Sequence, residues 1–90
     1  MIAIPHTDRY RANVARHTGD DEQRPCAVCG RPLRKGRVSY WLYEHNGSAL
    51  SQSEAIRVPK DERDLLPLGG DCLRRNPDLR PYVLTVQPSW

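Results

Sequence analysis

The chain has 90 residues, 38% of them hydrophobic, with eight Pro, no Phe and a mean hydropathy of -0.73. A chain this short and polar makes one domain with a thin core, the condition under which small domains recruit a metal or disulfides. No run approaches the ~18 apolar residues of a membrane span, no secretory signal pattern opens the chain, and a net charge of +3 permits an acidic partner without demanding one. The expectation is a soluble cytoplasmic protein whose three cysteines stay reduced.

Asp8 to His17, DRYRANVARH, sets Tyr10, Val14 and His17 on one face at i, i+4, i+7 spacing. This predicts an N-terminal helix within residues 1–18, capped by Thr7 or Asp8 and stopped near Gly19. Gly19 to Pro25 reads as a polar loop leading to Cys26. Arg37 to Glu44, RVSYWLYE, alternates Val38, Tyr40 and Leu42 against Ser39, Trp41 and Tyr43, which predicts a strand. Asn46-Gly47 accepts the positive φ angles of a type I′ turn, so a hairpin should return through Ala49 and Leu50.

Ser51 to Glu54 read as irregular, AIRV as a strand fragment ended by Pro59, and PKDERD as a charged surface loop. LLPLGG is an extended piece interrupted by Pro67. Asp71 is placed to cap a helix beginning at Cys72, and Asn76-Pro77 to end it or start a new turn. Tyr82 to Val86, YVLTV, predicts a final strand within residues 82–90.

The motif with chemistry is CAVCG at Cys26 to Gly30, answered far downstream by Cys72 in LGGDCLRR. Two thiols separated by two residues can face one ion across a tight turn, and Gly30 lets backbone amides approach the sulfurs. Knuckle, hairpin, then Gly-Gly-Asp-Cys opening a helix: in this order the segment 26–76 resembles a treble-clef zinc finger. CAVCGRPL with LPLGGDCLRR is similar to small zinc-finger proteins of actinobacteria and their phages. The resemblance implies an α+β fold, a small treble-clef-like domain of zinc knuckle, β-hairpin and short helix, flanked by the N-terminal helix and the C-terminal strand. Soft sulfur donors favour Zn(II) over Mg or Ca, and four thiolates for an iron–sulfur cluster are lacking. Cys72 at a helix start gains thiolate character from the helix dipole.

The fourth ligand departs from the pattern, because one turn beyond Cys72 stand Arg75 and Asn76. His17, Asp71, His6 and His45 are the candidates, in that order. His17 is tied to Cys26 by a loop that can fold back. Asp71 adjoins Cys72 but suits a cap. His6 lies beside Pro5, and His45 sits at a hairpin tip that a strand rising ~3.3 Å per residue carries away from the knuckle.

Enzymatic readings lack parts. No H-x-E or C-x-E precedes the P-C-x-x-C that a zinc deaminase would share. His45-Asn46 resembles a piece of a ββα-metal nuclease, yet CLRRNPDL carries no histidine. A thioredoxin-like role for Cys26 and Cys29 needs a longer β/α pattern. A structural zinc therefore leaves function to the surface. Arg31, Arg34, Lys35 and Arg37 follow the knuckle, and Arg74 and Arg75 follow Cys72. With Tyr40, Trp41 and Tyr43 near by, they point to nucleic acid. A protein partner docking on the hairpin, an edge strand or the tail is the alternative.

Overall fold

The computed structural model describes residues 1–16 and 22–84. Its centre is a hairpin of β4 (Tyr40–His45) and β5 (Ser48–Leu50), preceded along the chain by β1 (Ile2–Ala3), β2 (Gln23–Pro25) and β3 (Pro32–Arg34). Aromatic and branched side chains give β4 its extended form, and Asn46 and Gly47 turn the chain at φ 50 and 83, both in the left-handed region. The strand begins at Tyr40, not Arg37. Residues 35–37 are taken up by a turn in which Gly36 has φ +87 and the Arg37 amide bonds to the Arg34 carbonyl at 3.0 Å.

A four-stranded antiparallel sheet runs in the order β1-β5-β4-β6, where β6 is Asp64–Leu68. Pro67 does not interrupt β6; it lies opposite Trp41 in register. Its carbonyl accepts from the Ala27 amide at 2.9 Å, on the side away from β4, so the missing N–H removes no bond from the ladder. A second, two-stranded sheet pairs β2 with β3. Gln23 to Pro25 are thus strand where the sequence suggested loop, with Pro25 opposite Pro32.

Helix α1 is Tyr10–Ala15, shorter than the Asp8 to His17 expectation, with Arg9 at its N-cap and no side-chain cap from Thr7 or Asp8. His17 and Gly19 lie outside the described residues. Ser51 to Glu54 are not irregular, and AIRV is not a strand. Helix α2 (Gln52–Ile56) starts in a capping box: the Ser51 hydroxyl accepts from the Glu54 amide, and the Glu54 carboxylate accepts from the Ser51 amide. The charged PKDERD loop contains one 3₁₀ turn, Lys60–Glu62.

Helix α3 is Gly70–Arg75, with Gly69 at the N-cap and Asp71 in its first turn instead of capping it. Asn76 ends it, and Pro77 opens a 3₁₀ helix, Pro77–Tyr82. Tyr82 closes that helix, and Val83 and Leu84 form no strand; residues 85 and 86 lie outside the described set.

One face of the sheet offers Leu42, Ala49 and Leu68 to Ile4, Ala27, Val28, Leu73 and Leu79, and Cys26 is part of this core. Along β4 and β6 the alternate residues Trp41 and Pro67 point to the opposite face, and both are buried. There α2 packs on β5, and the Arg63 guanidinium lies 4.9 Å over the Tyr43 ring while donating to the Ala55 and Val58 carbonyls. No helix among the described residues is long and apolar enough to cross a membrane.

The capping box holds α2 in place over this second face. Ser51→Ala should cost about 1 kcal/mol, read as a lower urea midpoint with an unchanged m-value. A change within error would mean that packing alone holds α2.

Candidate metal centre

Cys26 follows β2 directly, and the chain reverses through Ala27 to Gly30 into β3. Two bonds close this turn, from the Cys26 amide to the Arg31 carbonyl at 2.8 Å and from the Gly30 amide to the Cys26 carbonyl at 2.9 Å. Gly30 has φ +75, and a Cβ there would lie 2.7 Å from the Tyr10 carbonyl oxygen and 3.1 Å from side-chain carbons of Asn13 and Val14. Only glycine meets both demands. Helix α1 is therefore seated on the knuckle, where Asn13 Nδ2 donates to the Cys29 carbonyl at 2.7 Å and the Thr7 amide to that of Val28 at 3.0 Å.

Cys72 lies in the first turn of α3. Its sulfur and those of Cys26 and Cys29 all lie within 4.8 Å of one another. All three are free thiols. Cys26 is fully buried, while Cys29 and Cys72 are half-buried. The Gly69 amide donates to Cys26 Sγ at 3.3 Å, and Asn76 Nδ2 donates to the Cys72 carbonyl at 2.9 Å, tying the end of α3 back to its ligand-bearing turn. Three soft donors in this arrangement can hold a metal ion.

Burial by itself would raise the Cys26 thiol, but the amides of Cys29, Gly69 and Val28 directed at its sulfur hold it below the ordinary thiol value. Cys72 behaves oppositely. Burial, then the negative charge of Cys26, push it up to about 12. The helix-dipole expectation for Cys72 is thus outweighed in the metal-free site, and the amides that favour a thiolate serve Cys26. A dication would reverse the repulsion between the sulfurs.

Among the described residues no His, Asp or Glu joins the three sulfurs. Asp71 is exposed and paired with Arg74. The exposed His6 stacks on the Tyr10 ring. His45 ends β4 as a strand residue, its Nδ1 2.7 Å from the Glu62 carbonyl oxygen. His17 lies outside the described residues.

The basic residues do not form one cluster around the sulfurs. Arg31 leaves the knuckle, and Arg74 and Arg75 lie on α3 beside Cys72, but Arg34, Lys35 and Arg37 occupy the other end of the β2–β3 hairpin, where the Lys35 amide bonds to the Glu22 carbonyl at 2.8 Å. All six are exposed. Of the aromatic residues named with them, Trp41 is buried at 3% exposure and Tyr40 and Tyr43 are half-buried. Sequence reasoning missed Gly69, Asn13 and Asn76 as supports of the thiol cluster. Gly69 was legible as the residue before a ligand-bearing helix; the two asparagines bond to backbone, which no motif encodes.

Comparison of the chain with protein-family models, with curated proteins and with solved structures finds no match.

Because a Cβ at Gly30 meets backbone on a strained φ, Gly30→Ala should destabilise the fold by about 1–3 kcal/mol. Urea unfolding of the metal-loaded protein measures it, and full stability would show that α1 is not seated on the knuckle.

Proposed function

We propose that this is a zinc-stabilised, treble-clef-like protein without catalytic activity that binds nucleic acid in a reducing compartment such as the cytoplasm. The observation that carries the reading is the meeting of three sulfurs from a knuckle and a helix within 4.8 Å. A tetrahedral Zn(II) with Zn–S of about 2.3 Å asks for sulfurs about 3.8 Å apart, a spacing within that span. The order of knuckle turn, β4–β5 hairpin and cysteine-bearing helix is the treble-clef order.

His17 is the proposed fourth ligand. Val14 and Asn13 of α1 touch the knuckle at Gly30, and His17 follows Val14 by three residues, a reach of at most about 10 Å of extended chain. With a histidine completing the shell, zinc contributes folding free energy and no chemistry. Structural zinc supplies on the order of 10 kcal/mol in small zinc domains, enough to offset a thin core.

The partner reading rests on the exposed Arg31, Arg34, Lys35, Arg37, Arg74 and Arg75. Arginine forks bind phosphate in bidentate fashion. Arg74 contributes least, because Asp71 already neutralises it.

Purified protein should carry one zinc per chain and lose cooperative unfolding on chelation. His17→Ala should retain less zinc and melt lower; full retention would remove His17 from the site, and a native protein free of metal yet equally folded after chelation would end the zinc reading. Binding to nucleic acid should weaken linearly in a plot of log affinity against log salt. Replacing both Arg34 and Lys35 by Ala should weaken it several-fold and reduce the slope by about two. A flat salt dependence, or no binding at low salt, would turn the assignment toward a protein partner.

A further inference from the structure

The aromatic residues that the sequence offered for stacking are turned inward, Trp41 entirely, with Tyr43 lying under Arg63. A different aromatic pair faces solvent. His6 stacks on Tyr10 with ring centroids 3.8 Å apart and an interplanar angle of 23°, His6 exposed and Tyr10 half-buried. With Thr7, Asp8 and Arg11 the two rings line an open cavity of about 440 Å³. That lies within the ~300–1,000 Å³ of small-ligand sites.

Charge decides what fits. Arg9, Arg11 and Arg16 are exposed along α1. The lining itself holds one cation, Arg11, and one carboxylate, Asp8, and the negative charges of Glu44 and Asp64 also act on Tyr10. A phosphate would be drawn to Arg11 and repelled by Asp8. A flat, uncharged ring bearing an exocyclic amine suits the interior, since it extends the His6–Tyr10 stack and donates to a carboxylate.

Resting on the nucleic-acid reading above, we infer that this cavity is a single-strand nucleobase site: one unpaired base stacks on His6, its amino group donates to Asp8, and Arg11 holds a flanking phosphate. Every base presents a π-face, so stacking supplies affinity with little sequence preference, while Asp8 favours amino-bearing bases over thymine. A base paired inside a duplex cannot enter.

The test is fluorescence anisotropy on the full metal-loaded chain, with a labelled oligo-deoxycytidylate of about ten nucleotides, an abasic strand of the same length and the corresponding duplex. The deoxycytidylate should bind tightest. His6→Ala should weaken it about 5- to 100-fold, the range expected for one lost stack, and leave the abasic strand unchanged. His6→Trp should restore it, and Asp8→Ala should narrow the preference for cytosine over thymine. Equal affinity for the abasic strand, tighter binding of the duplex, or a silent His6→Ala would each overturn the base site while leaving phosphate binding elsewhere intact. Failure of every oligonucleotide to bind would overturn both readings.

Discussion

Three sulfurs within 4.8 Å of one another are an awkward thing to build into a small protein. Burial, then the negative charge of Cys26, push Cys72 up to about 12, while backbone amides hold Cys26 below the ordinary thiol value, so a charge on Cys26 opposes one on Cys72. Protonation relieves it at the expense of soft donors left idle. A dication would relieve it better, by offsetting most of the thiolate charge and joining a turn to a helix far along the chain. The bond from the Gly69 amide to Cys26 Sγ already spans those two segments, and the Ala27 amide on the Pro67 carbonyl pins the turn to β6 beside it. Knuckle and helix are held at the right spacing by backbone before a metal contributes anything.

The rest of the molecule is arranged around that junction. Leu42, Ala49 and Leu68 pack against the knuckle residues Ala27 and Val28 and against Leu73 and Leu79. Cys26 belongs to this core, so the thiol cluster is an extension of the apolar interior. Trp41, on the other face of β4, is buried outside this cluster. A core split in two by a sheet is thin on each side, and neither half contains a phenylalanine. A metal ion joining Cys26, Cys29 and Cys72 would therefore be the more consequential of the contacts between distant parts of the chain.

How much of this was legible depended on whether the signal was local. Asn46-Gly47 announced its turn because positive φ is a property of those two residues. The cysteine spacing announced its cluster for the same reason. Ser51 and Glu54 carried an equally local capping signature, and the pattern S-x-x-E could have revealed α2; the β-branched look of AIRV concealed it. Pro67 in β6 and the paired prolines of the β2–β3 hairpin depend on what their neighbours do with the freed bond, and α3 starts early enough to put Asp71 inside it with Gly69 as cap, so composition alone pointed the wrong way. The His6–Tyr10 stack joins a loop residue to a helix residue, and no periodicity records that.

The position of the charges gives the thiol cluster a second consequence. Arg34, Lys35 and Arg37 are carried on a hairpin whose strands are three residues long, and a two-stranded hairpin of that size is marginal by itself. Its register is set at the other end, by the two bonds that close the turn from Cys26 to Arg31. Thr7 and Asn13 bond to the same turn, so the segment bearing His6 and Tyr10 is also positioned from the knuckle. Both surfaces that could meet an acidic partner thus take their geometry from one tight turn. A metal held by the sulfurs would brace that turn against α3, and so would act on basic hairpin and aromatic cavity alike without touching a ligand at either.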